Sequence, residues 1–218
     1  MKRAVVTGAS SGIGEEIYRF LLQDHYNSVL GVGLSGPDFR VDLTRGQDRQ
    51  ELIEEISQSF QPVDIFVNNA GVLLLDESEI NSCLNMVSLN LIAVWDLTSC
   101  VYPYMSDGGV IINVASISGM RADPDTPLYG ATKAGVISLT KSFAKKFANS
   151  DKKVRVNCFS PGFFDTNLVP GPAPQELIDQ IPFKRSAKTC ELLPLVQMII
   201  DSKYLTGVNI PIDGGLLL

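Results

Sequence analysis

The chain has 218 residues, 45% hydrophobic and 19% charged, with a formal net charge of −6 and a pI near 4.8. An acidic chain with no basic run argues against electrostatic capture of nucleic acid or of an anionic membrane. Cys83, Cys100, Cys158 and Cys190 are far apart and His25 is the single histidine, so no zinc-type ligand spacing exists; reduced thiols and a cytoplasmic location are expected.

No apolar run reads as long enough to span a bilayer, and the N-terminus enters a strand without a signal-peptide pattern. Arg3–Thr7 is a short apolar run, read as a buried first strand. The loop Thr7-Gly-Ala-Ser-Ser-Gly-Ile-Gly14 follows. Ile13, Ile17, Phe20 and Leu21 then recur at helical spacing, which predicts a helix over 13–24. Val29–Val32 is the second strand. Together these make a βαβ unit with a right-handed crossover. Glycine lets backbone approach a pyrophosphate closely, and a helix N-terminus offers unpaired N–H groups and a partial positive charge. A tight turn alone would need only one or two glycines. With Gly8, Gly12 and Gly14 all placed between strand and helix, the loop reads as a nucleotide site contacted by Gly8, Ser10, Ser11, Gly12, Ile13 and Gly14.

From Val32 to Asp42 the chain advances only ten residues, fewer than a parallel crossover usually takes. Either the third strand, Phe39–Asp42, follows an unusually short loop, or it is a stub at the sheet edge. Helices are expected over Gln47–Phe60 and Ile80–Tyr102, with a strand Asp64–Asn68 between them. Val110–Val114 is the fifth strand and ends in Ser116. A helix follows over Tyr129–Asn149, then a strand Val154–Cys158 and the Pro-rich run Pro170–Pro174. A short helix with Leu177, Ile178 and Ile181, a helix near Glu191–Ile200 and a strand near Gly207–Ile212 close the chain. Alternation of this kind predicts one α/β domain over 1–218, a Rossmann-like, doubly wound parallel sheet of about seven strands with helices on both faces. Ligands of such sheets sit beyond the carboxyl ends of the strands. The glycine loop, Asn68–Gly71, Ser116 and Pro161-Gly162 all fall there.

Tyr129 and Lys133 stand four residues apart, on one face of their helix. A phenol titrates near ~10, and a neighbouring cation favours the phenolate. Read alone, Ser116 satisfies backbone at a strand end, Asn90 is a buried structural amide as readily as a functional one, and Thr166 is a helix N-cap. His25 reads as a surface residue and receives no role. Lys184-Arg185 reads as a solvated pair rather than a contact for an acidic substrate tail, and Ser118 and Arg121 lie near enough to Ser116 to touch a substrate.

These residues, in this order, resemble the short-chain dehydrogenase/reductase family almost end to end. The resemblance is carried by Thr7–Gly14, Asp42-Leu43, Asn68-Asn-Ala-Gly71, Asn90, Ser116, Tyr129-x-x-x-Lys133, Pro161-Gly-Phe-Phe-Asp-Thr166 and Asp213-Gly-Gly215. It implies an NAD(P)-dependent oxidoreductase that interconverts a carbonyl and a primary or secondary alcohol by hydride transfer. Tyr129 would be the general acid or base and Ser116 would fix the substrate oxygen. Lys133 would hold the nicotinamide ribose and lower the phenol's pKa, and Asn90 would carry a water in a proton relay. Asp42 and Leu43 would meet the adenine, Asn69, Ala70 and Gly71 would border the adenosine, and Pro161, Gly162 and Thr166 would meet the nicotinamide. A positioned donor and a general acid at the carbonyl oxygen each supply roughly 100-fold or more.

Cofactor choice is read at the end of strand two, where a carboxylate binds the ribose of NAD and basic groups accept the phosphate of NADP. Gly33, Leu34 and Ser35 stand there, without a carboxylate. Ser11 occupies a position where many NADP-using relatives have a basic residue, and Arg40 lies past the turn. NADP is favoured over NAD, with Ser35 and backbone N–H groups receiving the phosphate. The segment 163–186 is expected to be a substrate lid whose Phe163, Phe164, Leu168, Val169, Leu177, Ile178 and Ile181, facing Val72–Leu75, suit a partly apolar ketone, aldehyde or alcohol. The alternative reading is a dinucleotide-binding, redox-sensing protein without turnover; isomerisation or dehydration on the same fold is a third. A homodimer or homotetramer is expected through Trp95 and Val136 on the two long helices, with Leu216–Leu218 in another interface.

Overall fold

In the computed structural model, residues 2–23, 28–168, 171 and 174–218 are described. His25, Val169, Pro170, Pro172 and Ala173 lie outside them. Seven parallel strands run in the order β3-β2-β1-β4-β5-β6-β7. They are β1 (Arg3–Thr7), β2 (Ser28–Gly33), β3 (Phe39–Arg40), β4 (Val63–Asn68), β5 (Met105–Val114), β6 (Arg155–Pro161) and β7 (Asn209–Ile212). The helices are α1 (Gly12–Gln23), α2 (Gly46–Glu55), α3 (Ile80–Val87), α4 (Ala93–Val101), α5 (Pro127–Ala148), α6 (Gln175–Gln180) and α7 (Leu193–Asp201).

A parallel sheet covered on both faces needs strands that are apolar throughout. β1 supplies Ala4, Val5 and Val6, all buried. Alternate residues enter opposite layers, as the two-residue period requires. Val6, Val67 and Ile112 pack with Ile17 and Leu21 of α1 and Val196 and Ile199 of α7. Val5, Phe66 and Ile111 pack with Leu52 of α2, Leu97 of α4 and Phe143 and Phe147 of α5. A buried polar seam crosses the second layer. Asn68 Nδ2 donates to Asn113 Oδ1 (2.9 Å) and Thr98 Oγ1 (3.0 Å), and Asn113 Nδ2 donates to Thr140 Oγ1 (2.9 Å). Every link is paired, so the seam fixes β4, β5, α4 and α5 in one register without a desolvation penalty for an unpaired amide.

Both alternatives for the β2–β3 segment hold: the loop is short and the strand is a stub. Val32 pairs with Phe39 and Gly33 with Arg40. The Gly36 N–H donates to the Gly33 carbonyl (3.1 Å) and the Asp38 N–H to that of Gly31 (3.2 Å), folding the loop flat against β2. Pro37 and Tyr18 cover Gly31 where a crossover helix would otherwise pack. The strand ends before the predicted Asp42, whose N–H donates to Asp48 Oδ2 (2.8 Å) at the start of α2.

Three expectations need correction. The run Ile80–Tyr104 is long and apolar enough to cross a bilayer by length and composition, at a mean hydropathy of 1.4. It is a helix continuous from α3 through a π-turn at Ser88–Ile92 into α4, and it buries Met86, Asn90, Ala93, Leu97 and Val101 in the protein. Val136 faces inward, packed with Val94 and Ala115, and is no part of an outer face. Leu216 is buried within the chain against Ile117 and Ile181, so one of the three terminal leucines is already used.

Candidate active site

The glycine loop is built by close backbone approach. Gly8 has φ +68°, and a Cβ there would lie 2.6 Å from Asn69 Nδ2 and 2.8 Å from Ala70 Cα. A Cβ on Gly14 would meet the Gly8 carbonyl at 2.2 Å. No side chain fits at either position. Asn69 Nδ2 donates to the carbonyls of Thr7 (3.0 Å) and Gly8 (3.2 Å), and Thr7 Oγ1 accepts from the N–H groups of Asn69 and Ala70. Asn69 and Ala70 therefore brace the loop from the end of β4. The first-turn N–H groups of α1, at Gly12, Ile13 and Gly14, have no intrahelical acceptor and face the carboxyl ends of the strands. Across the loop, Gly12 lies against Thr166, whose Cβ would be 3.3 Å from a Cβ on the glycine. Ser10 Oγ stands 3.2 Å from the same point on Gly33, at the end of β2, and Ser35 is exposed beside it.

Asp42 and Leu43 serve α2 in this structure. Asp42 Oδ1 accepts from Thr44 N–H (3.0 Å) and Thr44 Oγ1 (2.7 Å), which hold the carboxyl below its usual range, with Arg45 adding to the effect. Leu43 is buried in the core.

Ser116 ends the β5 run in extended backbone, and a single 3₁₀ turn, Ile117–Gly119, follows. That turn lies directly on α5. A Cβ on Gly119 would come within 2.6 Å of Ala134 N and of Lys133 C, and one on Gly130 within 2.8 Å of the Ser118 carbonyl. Two glycines thus bring the turn that carries Ser116 onto the first turns of α5, which carry Tyr129 and Lys133. Tyr129 is buried, and burial pushes its phenol up to about 12; the Ser116 hydrogen bond opposes this and the charge of Asp123 adds to it. The sequence expectation was a phenol lowered by Lys133, and the direction found is the reverse, because desolvation is the largest effect and the lowering that opposes it comes from Ser116. Lys133 Nζ lies 5.7 Å from the Tyr129 ring centre and donates to the Val114 carbonyl (3.0 Å). Burial brings its ammonium down to about 8.

Asn90 lies in the π-turn, a feature that occurs frequently at functional sites. Its side chain is fully engaged. Oδ1 accepts from the Val72 N–H (2.9 Å), and Nδ2 donates to the Val72 carbonyl (2.7 Å) and Thr132 Oγ1 (3.4 Å). The amide therefore clamps the chain just after β4 and has no side-chain donor left for a water. Gly71 separates Asn90 from Lys133: a Cβ there would be 3.1 Å from Asn90 Oδ1 and 3.4 Å from Lys133 Nζ. Asn90, Lys133, Tyr129 and Ser116 thus share one side of the crevice.

The two ends of the segment 163–186 are anchored. Phe164 bridges to Ala187, and Ser186 Oγ donates to Asp165. Gly162, after Pro161 at the end of β6, donates to the Ile212 carbonyl (2.9 Å). Phe163, Ile178 and Ile181 pack with Ile117 and Leu216, Phe164 packs onto the α1–α7 layer, and Leu168 is exposed. Arg185 is committed to Glu191 by two hydrogen bonds (2.6 and 2.7 Å) and stays on the surface. Ser118 Oγ donates to Asp123 at 3.4 Å. Two further clefts lie away from Tyr129, one around Asp64 and Arg155 and one around Phe183 and Arg185. The sequence reading missed Gly119, Gly130 and Glu77, whose carboxylate accepts from the N–H groups of Leu128 and Tyr129 at 3.0 Å each.

Residues 8–217 match the family described as Enoyl-(Acyl carrier protein) reductase. The chain is 31% identical over 243 aligned positions to 3-oxoacyl-[acyl-carrier-protein] reductase FabG of Thermotoga maritima, an alignment covering all of this chain and 98% of the relative. Two solved structures superpose closely. One is described as ribose-5-phosphate isomerase from Brucella melitensis 16M (TM-score 0.91, 29% identity, covering 100% of this chain and 92% of that one). The other is a blue fluorescent protein from a metagenomic library in complex with NADPH (TM-score 0.89, 26% identity, covering 100% and 98%).

Proposed function

Since the chain belongs to the short-chain dehydrogenase/reductase family and is an NAD(P)-dependent oxidoreductase within it, we propose that it reduces an apolar ketone or aldehyde, with Tyr129 as the general acid. The observation that carries this reading is the packing of the turn after Ser116 on the start of α5, which gathers Ser116, Tyr129 and Lys133, all buried, at one place. A phenol kept protonated at neutral pH is a donor, and Ser116 beside it is a second donor for the same oxygen. Negative charge that develops on a carbonyl oxygen would meet both at a largely buried position.

The residues present fit a dinucleotide. The cradle at Gly8 and Gly14 is shaped for backbone contact, and the free N–H groups of α1 suit a pyrophosphate. Ala70 and Gly71 would border the adenosine side, Lys133 the nicotinamide ribose, and Gly162 and Thr166 the carboxamide. The bound cofactor would supply the hydride. Gly33, Ser35 and Arg40 favour the phosphate of NADPH over the free ribose of NADH, and a structural relative was solved with NADPH. The apolar wall of Phe163, Ile117 and Ile178 supports a hydrophobic substrate beneath a lid at 163–186. A 3-oxoacyl thioester is the first compound to test, because relatives carry that activity in their names. A single catalytic domain in the cytoplasm, working as a homodimer or homotetramer, completes the proposal.

The test is a panel of carbonyl compounds and thioesters with NADPH and with NADH, followed by nicotinamide absorbance. Substituting Tyr129→Phe is expected to lower kcat by ~100-fold or more while the dissociation constant for NADPH stays within about twofold. Undiminished turnover in that variant would remove the phenol from the mechanism. A redox sensor would bind cofactor and turn over nothing. An isomerase, suggested by the Brucella structure, would convert substrate with no net change in absorbance.

A further inference from the structure

α5 begins with a defect that its own sequence does not repair. Thr126 at the N-cap makes no side-chain capping hydrogen bond, and Pro127 has no N–H to offer. That leaves the N–H groups of Leu128 and Tyr129 as the first-turn donors in need of acceptors, while Gly130 already donates to the Thr126 carbonyl (3.0 Å). Glu77 fills both vacancies from 51 and 52 residues away: Oε2 accepts from Leu128 and Oε1 from Tyr129, each at 3.0 Å. A carboxylate at a helix N-terminus is also favoured by the helix dipole.

Glu77 is itself held. Cys83 Sγ donates to its carbonyl (3.2 Å), and Glu79 caps α3 two residues on, accepting from Asn81 (3.1 Å) and Ser82 (2.5 Å). At the other end of the same loop, Val72 is clamped by Asn90. The loop from Gly71 to Glu79 therefore spans the crevice wall between Asn90 and the first turn of α5, with Tyr129 on that turn.

We propose that Glu77 is a positioning residue that sets the place of Tyr129 relative to Ser116 by tying the loop after β4 to the first turn of α5. This rests on Tyr129 being the acid of the proposed reduction. A carboxylate that served only as a helix cap would be replaceable by any local cap. One that positions the tyrosine has to come from the loop.

The experiment compares Glu77→Ala, Glu77→Gln and the double variant Glu77→Ala with Thr126→Asp, which restores a cap from within the helix. Glu77→Ala is expected to lose at least tenfold in kcat, with the NADPH dissociation constant within twofold. Glu77→Gln, keeping one acceptor oxygen, is expected to recover part of that loss. The double variant is expected to regain melting temperature but not kcat. A second readout needs neither substrate nor cofactor: the ¹⁹F resonance of 3-fluorotyrosine placed at 129 is expected to shift or broaden in Glu77→Ala and to stay so in the double variant. A kcat within twofold of wild type in Glu77→Ala, or a double variant that regains both kcat and the wild-type resonance, would overturn the proposal. If none of the carbonyl compounds elicits oxidation of NADPH by the wild-type protein, the functional reading fails, and the resonance alone decides: unmoved, it overturns the positioning role; moved, it upholds it.

Discussion

At the residue scale, Lys133 is the costliest group in the crevice. It is buried, no carboxylate pairs with it among the described residues, and burial brings its pKa down to about 8. A lysine whose folded pKa lies below its unfolded value destabilises the protein while both states are protonated, and that penalty fades as pH rises through the folded value toward the unfolded one. Lys133→Met removes the penalty at little change in volume. It is expected to stabilise the protein by about 1–3 kcal/mol near neutral pH, with the advantage over wild type shrinking between about pH 8 and pH 10.5. Urea unfolding at a series of pH values checks it; an advantage that does not change with pH would place the effect in packing instead. The same variant is expected to bind cofactor less well, the usual conflict of stability with function. Ser116, Tyr129 and Lys133 were legible in the sequence because each stands at a strand end or one helical turn from another. Glu77, Gly119 and Gly130 were not, because their roles exist only in contacts between segments far apart in the chain. The direction of the Tyr129 shift was illegible for a related reason: spacing gives the neighbour but not the burial.

At the scale of elements, the β2–β3 turn departs most from a doubly wound sheet. The alignment to the Thermotoga relative has 243 positions against 218 residues here, so that protein has segments this chain lacks. The short turn changes what stands beside the end of β2. Arg40 pairs with Gly33, and its neighbours Phe39 and Val41 pack into the α2 layer. Arg40 therefore belongs to the opposite face, that of Ser10 and the glycine loop. It is exposed and has no ion-pair partner among the described residues. Arg40→Ala is expected to weaken NADPH binding by about 10- to 100-fold, the worth of one charge-assisted hydrogen bond to a phosphate. NADH binding is expected to hold within about twofold. Titration with 2′-phosphorylated and unphosphorylated adenosine nucleotides separates the two, and equal loss for both would exclude Arg40 as the phosphate ligand. The order of elements was legible throughout, since period and punctuation alternate cleanly along the chain. The register of β3 was not: ten residues contain too little pattern to say where a strand begins.

At the scale of the whole molecule, the covered and uncovered faces decide what remains to be bound. The sheet is closed on both sides, and the crevice takes the carboxyl ends of its strands. The long helix Ile80–Tyr104 is only partly used by this closure. Ile80, Leu84, Ile92 and Trp95 recur at near-helical spacing on its outer side, with Trp95 50% exposed. Apolar residues scattered singly need no explanation, but for a row of four along one helix an association surface is the expected role. A second copy related by a two-fold axis is the simplest occupant, because one row then covers its own image. The buried Val136 removes α5 from the centre of that face and leaves α3 and α4 to carry it. Trp95→Glu puts a charge in the middle of the row, where an isologous contact would meet it twice. Sedimentation or light scattering at micromolar concentration is expected to show a dimer or tetramer for the wild-type chain and a monomer for the variant, with the far-ultraviolet circular dichroism unchanged. A wild-type monomer would show that the row is left open to something else. Because the same helix holds Asn90 and, through it, the loop that reaches Glu77, a copy packed on its outer side would stiffen the crevice wall. Dissociated protein is accordingly expected to lose kcat before it loses cofactor.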